Sequence, residues 1–558
     1  MWAAEKRAPV SHVADDKGAS VLLGEAINGP GSERMEAASL RRLWKDADSH
    51  PRLVFDGFYA AVVYHADFGL AVGADLLGLF PIYYYSSEDV VLVGSSPELF
   101  RHHPSFRMEF NPRGLVGILL TMHIFDGQTL LRGVHRLAAG HVLVCGPDAP
   151  PKEVCQYELP VSNRYFDLPY SAHVDILGRT LDEAVTRHVS VGKRYTQLFS
   201  GGLDSRMLGG YLREKGVDVV ALTLGLRSDI EMKCAIPAAR ALGFESRTAN
   251  IGYEQYPFCA DVQAKWEHVA SGFNFMMNWG VYPHLRELEQ EVVAGFMMDA
   301  AVGTTWIEKA YVPSSDTASF DAFFSHVNLW GFRRDILKKL LRREVFGDLV
   351  EETFSRIRTV YEGYSELESQ RAWCFNLHHR QRFHVGGMAW GLAFGAWPTL
   401  PALDRGVLEA GGGMPAATIG ERRAEKELLC KRFPQLAGLP LDHNSYDPEP
   451  LRPRLRREIV QHLYCQLKPL RVLRDSIRRR KGEHRYYFRI YDFNGPGWVA
   501  VREHAEPYRE RVLHLFHKDV LDNLLPGPDV PVPFGNSITE ASGLKSLLGL
   551  FLWSNEHL

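Results

Sequence analysis

Apolar and polar positions change rhythm along this chain. Early on, the apolar residues come in short runs broken by turn residues: Phe58-Tyr59-Ala60-Ala61-Val62-Val63-Tyr64, then Gly69 to Asp75, Ile82 to Tyr85, and Val90 to Gly94. That rhythm predicts an antiparallel meander in a β-rich sandwich over residues 1–150. Gly146-Pro147-Asp148-Ala149-Pro150-Pro151-Lys152 interrupts it before an amphipathic helix over about 172–189, so a domain boundary is expected there. The rhythm then turns to α/β. Val217 to Leu224 is a β-branched apolar run suited to a strand buried on both faces of a parallel sheet. A helix from Asp204 to Lys215 would be its crossover. A doubly wound parallel-sheet domain is expected over 165–445, followed by a basic and aromatic extension over 446–558. Within that extension, Ser546 to Trp553 is short enough to be a helix docked on the core.

Between the amphipathic helix and the buried strand lies the stretch that carries chemistry, Gln197-Leu198-Phe199-Ser200-Gly201-Gly202-Leu203-Asp204-Ser205-Arg206. It reads as a short strand that breaks into a serine–diglycine loop and opens a helix. Gly201 and Gly202 let the backbone approach an anion and adopt positive φ. The helix start beyond them turns unpaired N–H groups toward it. Ser200 and Ser205 add hydroxyl donors, and Asp204 can hold the magnesium that travels with a triphosphate. The bland alternative is an ordinary strand-to-helix turn of small residues.

Composition bounds the rest. The chain has 558 residues, 46% of them apolar and 23% charged, with a formal net charge of −3, enough material for two or three domains. No apolar stretch approaches the roughly 18 residues of a membrane span, and the first seven residues lack the apolar core of a signal peptide. Seven cysteines, scattered singly and without metal-ligand spacing, fit a reduced, cytoplasmic setting. From Arg452 to Lys481, nine arginines and two lysines face only Glu458 and Asp475. This is either a solvated basic helix surface or a dock for an anionic partner; nucleic acid is not the expected partner. Tyr486, Tyr487, Phe488, Tyr491 and Phe493 read as a packed strand pair. His378, His379 and His384 on a probable helix are structural or offer a general base.

The SGGLDS run resembles the pyrophosphate loop of the ATP pyrophosphatases, and together with other motifs it makes the chain similar to the asparagine synthetase B family from about Leu22 to Pro440. Those motifs are Asp56-Gly57-Phe58-Tyr59-Ala60, Asp75-Leu76-Leu77-Gly78-Leu79-Phe80-Pro81-Ile82-Tyr83-Tyr84, Arg136-Leu137-Ala138-Ala139-Gly140-His141, Gly295 to Gly303, Pro401-Ala402-Leu403-Asp404 and Glu425-Lys426-Glu427-Leu428-Leu429. The resemblance implies a degenerate Ntn-hydrolase-like glutaminase domain followed by a HUP-like ATP pyrophosphatase domain with helical C-terminal additions. It implies ATP and Mg2+ as cofactors, with Leu198, Ser200, Gly201, Gly202, Leu203, Asp204, Ser205, Leu224 and Gly295 around the nucleotide. Asp204 and Asp299 would hold the metal, and Lys426 and Asp204 would serve catalysis.

Departures from the family matter too. Trp2 stands where glutamine-hydrolysing members expose a cysteine, and Leu23 to Asn28 is a possible remnant of an Asn-Gly-Glu stretch, so the glutaminase is expected to be dead; a misplaced start codon is the competing explanation. Phe296 and Ala393 occupy the places of the tyrosine and glutamate of β-lactam-closing members. The expected function is an asparagine synthetase-like ligase that joins a small-molecule or peptide carboxylate to an amine or ammonia through an acyl-adenylate. A lasso-type macrolactam cyclase, an RNA-modifying ATP pyrophosphatase and a non-catalytic binding protein remain open.

Overall fold

The computed structural model describes residues 8–45, 50–147, 149–274, 276–288, 291–303, 320, 323–324, 331–442, 448–452, 485–486, 489, 492–532 and 540–558. The expectations for Trp2 and for nearly all of the basic segment, together with Tyr487, Phe488 and Tyr491, lie outside these residues.

Among the described residues, nine short strands fill the N-terminal part: β1 (Val10–Asp15), β2 (Gly18–Ile27), β3 (Asp56–His65), β4 (Gly69–Ala74), β5 (Tyr83–Ser86), β6 (Val91–Gly94), β7 (Val134–Arg136), β8 (His141–Cys145) and β9 (Lys152–Cys155). They form two antiparallel sheets, ordered β1-β2-β3-β4-β8-β9 and β6-β5-β7. The meander pattern therefore holds for β2 to β4, whereas β5 leaves to start the smaller sheet and β8 takes the place beside β4. Strand β3 is buried along most of its length, because β2 and β4 pair with both its edges and helices and loops cover its faces.

The third sheet is all parallel. Its strands are β10 (Arg194–Leu198), β11 (Asp218–Leu224), β12 (Glu245–Ala249), β13 (Glu291–Val293) and β14 (Pro398–Thr399), ordered β12-β11-β10-β13-β14. The chain builds outward from β10 to β12 in one direction and then places β13 on the other side of β10. This reversal makes a crevice beyond the carboxyl ends of β10 and β13, the position where open α/β sheets take ligands. The helix Leu203–Glu214 is the crossover from β10 to β11, and Ile230–Leu242 crosses from β11 to β12. The amphipathic helix runs from Tyr170 to His188 and buries Val174, Leu177, Leu181 and Val185 at helical spacing.

Near the C-terminus, the described residues of the aromatic stretch are not extended: Tyr486 and Arg489 are helical, and Phe493 stacks on Trp498 inside the core with ring centroids 5.5 Å apart. The terminal helix Glu540–His557 is core-docked, packing on Tyr256–Glu267 and Pro112–Thr121. No helix among the described residues is long and apolar enough to cross a membrane.

Candidate functional site

The loop after β10 is shaped by two glycines and held by one arginine. Gly201 has φ 74, and a Cβ there would stand 2.5 Å from the backbone nitrogen of Ala235. Any other residue would meet both backbone strain and the neighbouring helix. Gly202 caps the helix Leu203–Glu214; its N–H donates to Ser200 Oγ at 3.2 Å, and Ser205 Oγ donates to its carbonyl at 3.1 Å. Thr223 Oγ1 anchors the strand end by donating to Phe199 O at 2.8 Å. Beneath the loop, fully buried Arg206 donates from Nε to Gly201 O at 2.9 Å, from Nη1 to Leu436 O at 2.5 Å and Leu439 O at 3.1 Å, and from Nη2 to Cys234 O at 3.4 Å and to Pro440 O. One guanidinium thus ties the loop to the 434–440 segment, satisfying carbonyls that helices and strands leave over.

An acidic cluster stands over the first turn of that helix. Asp204 accepts from Arg422, whose Nε also donates to buried Glu425 at 2.7 Å. Asp299 adds its charge to both Asp204 and Glu425. Two glycines flanking Asp299 allow this convergence. A Cβ on Gly295 would lie 3.0 Å from Asp204 Cβ, and one on Gly303 would lie 2.3 Å from Glu425 Oε2. Met297, at φ 71, turns the chain after β13 into the short helix Met298–Val302 that carries Asp299. Glu421 and Arg422 also take positive φ, 49 and 60, so three non-glycine residues in strained backbone surround the cluster. Burial pushes Asp204 up to about 7 against the pull of Arg422, with repulsion from Glu425 and Asp299 adding to the rise. The Asp204 side chain remains 30% exposed, so the carboxylate still meets the cavity.

That cavity, of about 280 Å3, lies beyond the ends of β10, β11 and β13. Leu198, Ser200, Asp204, Ser205, Leu224 and Gly295 line it, while Gly201, Gly202 and Leu203 shape the loop behind. Lys426 and Asp299 are not in the lining. Lys426 sits half-buried on the helix Arg423–Arg432, next to Glu425. Phe296 lines the cavity as expected from its place in the chain; Ala393 does not, its neighbour Leu392 doing so instead. The three histidines lie away from this cavity. His378 and His379 lie on a π-turn, Asn376–Gln381, that lines a different cavity, and His384 faces Met122 O at 3.3 Å. Burial holds all three well below the ordinary imidazole range. Arg206 and Arg422 were not singled out by the sequence; the one available signal was an arginine inside a stretch of helix that is otherwise apolar or glycine, Met207-Leu208-Gly209-Gly210.

Residues 41–154 match the glutamine amidotransferase domain family. No curated protein matches the chain. Among solved structures, NMN synthetase from Francisella tularensis is slightly similar, with a TM-score of 0.20 and 16% identity over 39% of this chain and 97% of that one. The N-terminal β-sheets are therefore similar to a glutamine amidotransferase domain, and they are followed by a parallel α/β sheet whose loop cavity has the geometry given above.

Proposed function

We propose that this chain is an ATP- and magnesium-dependent carbon–nitrogen ligase of the asparagine synthetase-like kind, forming an amide through an acyl-adenylate without a glutaminase of its own. The observation that carries the reading is the loop itself: Gly201 held at positive φ against a second helix, with Ser200, Ser205 and a helix N-terminus opening on one cavity at the sheet's switch point. This cradle suits the pyrophosphate part of ATP, with the Ser200 and Ser205 hydroxyls and loop N–H groups as donors. Asp204, Asp299 and Glu425 bring hard carboxylate oxygens together beside Arg422, which fits magnesium. Asp204 and Asp299 would hold it, and when bound it neutralises charge on the phosphates as pyrophosphate leaves. Arg422 and Lys426 are the chain's own cations toward that leaving group. Phe199, Phe296 and Met388 give the cavity an apolar wall that keeps water from the activated acyl group.

The test is exchange of labelled pyrophosphate into ATP across a panel of carboxylic acids. At least one acid should support exchange, and Asp204→Ala should lower it by roughly 1,000-fold with the thermal midpoint retained. ADP and phosphate as the only products, or undiminished exchange in the variant, would remove the loop from the reaction.

A further inference from the structure

A second, larger cavity, of about 640 Å3, lies where the N-terminal sheets meet the 360–383 segment. Arg136, at the end of β7, and Arg382, at the start of the helix Arg382–Leu392, line it, and both also line a small adjoining void. They are 4% and 8% exposed. Arg136 donates from Nη2 to Gly78 O at 2.7 Å and lies 5.0 Å over the ring of Tyr83, while its Nε is buried without a hydrogen-bond partner among the described residues. Arg382 reaches Gly78 O at 3.4 Å and donates to Leu137 O. These acceptors are neutral, and among the described residues neither guanidinium has a carboxylate within ion-pair reach. The acids whose charge reaches the pair are Asp75, Glu267 and Glu153; Glu153, which shares the cavity wall with Asp126 and Glu158, accepts from the Tyr84 hydroxyl at 2.9 Å and from the Ala138 N–H at 3.0 Å. Asp75 accepts from the N–H groups of Leu77, Leu79 and Phe80 at 3.2, 2.9 and 2.7 Å, and Glu267 accepts from Ser271 at 2.6 Å and from Gln263 at 3.2 Å. Burial pushes those two acids up to about 6 and about 7, which lessens the charge they offer. Two desolvated cations thus face one cavity and repel each other, an arrangement that protein interiors resolve with a counter-charge.

We propose that Arg136 and Arg382 form an anion site that takes the carboxylate of a small organic acid, with the body of that acid lying among Tyr84, Phe125, Tyr364 and Phe383. The planar guanidinium fork matches a carboxylate. The cavity volume falls in the ~300–1,000 Å3 range of small-ligand sites. The aromatic walls call for an apolar body. The histidines do not compete for the charge: His378 and His379 share the Tyr364 hydroxyl at 3.3 and 3.0 Å and are neutral in their buried positions. The site stands independently of the ATP reading, since no loop residue takes part.

Thermal midpoint and calorimetric titration of the full chain with benzoate and 3-phenylpropanoate, and with neutral 3-phenylpropanamide, test it. At least one carboxylate should raise the midpoint and bind, and the amide should do neither. Arg382→Met should weaken binding by about tenfold or more, and Arg382→Lys, which keeps a charge and a donor for Leu137 O, by less. If Arg382→Met fails to fold, the lysine variant and the amide control decide. No effect of either carboxylate on the wild-type chain, equal effects of acid and amide, or unchanged binding in the arginine variants would overturn the site and leave the pair as a clamp on Gly78 and Leu137.

Discussion

The loop cavity and the arginine-lined cavity share one helix, Arg382–Leu392, which lends Met388 and Leu392 to the first and Arg382 and Phe383 to the second. Their polar groups have different origins. In the first, Ser200, Asp204 and Ser205 come from one run of chain whose conformation is set by its own glycines, with Glu231, Asn278 and Tyr486 added from other segments. In the second, Tyr84, Arg136, Glu153, Tyr364 and Arg382 come from strands and helices far apart in sequence. A site built on local backbone should fail when a single backbone angle is refused. A site built by packing distant segments should respond to changes in the contacts between them.

The largest effect is expected where backbone and packing coincide. Gly201→Ala must place a side chain at φ 74 and 2.5 Å from Ala235 N, costing roughly 3 kcal/mol or more. Chemical denaturation should show that loss together with absent pyrophosphate exchange; a variant of unchanged stability and activity would mean the loop is not the rigid element described. The contrast sharpens at a third cluster that no local motif builds. Glu98, His268 and His557 meet in the core, with Glu98 Oε2 2.9 Å from His557 Nε2 and 3.5 Å from His268 Nε2. Arg101 donates to Glu98 Oε1 at 2.9 Å, Glu556 pairs with both Arg101 and Lys265, and Trp553 Nε1 donates to His268 Nδ1 at 2.8 Å. A donor on Nδ1 keeps His268 neutral, and burial holds it down to about 4. A histidine with a lowered folded pKa binds fewer protons folded than unfolded, so its stabilisation is complete above about 6.5 and is lost as pH falls toward 4. Glu98, held below the usual carboxylate range by its histidine and arginine partners against the opposing effect of burial, shifts stability in the same direction at lower pH. Acid should therefore loosen the terminal helix by on the order of 3 kcal/mol, read as thermal midpoint against pH. His268→Phe should flatten the profile between those values; an unaltered slope would show that the cluster does not titrate as described.

What could be read in the sequence follows the same division. The strand, loop and helix of residues 197–214 were legible because their signals are local: apolar run, paired glycines, helix start. Parallel pairing of Val217 to Leu224 followed from its largely apolar, β-branched character. The position of β5 in a separate sheet did not, because strand neighbours beyond a hairpin depend on long-range pairing that alternation cannot rank. Arg422 was missed for the same reason: its partner Asp204 lies 218 residues away, and only the motif from Glu425 onward stands near it. The histidines show the converse: sequence left them structural or basic, and His378 and His379 lie on a π-turn at a cavity away from the loop while His384 faces Met122 O.

The central claim is that residues 198–205 hold the phosphates of ATP, and equilibrium titration of ATP with magnesium tests it without needing the acyl substrate. Wild-type chain, Asp204→Ala and Arg382→Met should be compared side by side. The account predicts nucleotide binding to the wild type, binding weakened by about tenfold or more in Asp204→Ala, and unchanged binding in Arg382→Met. No binding to the wild type, or equal affinity in Asp204→Ala, would contradict it.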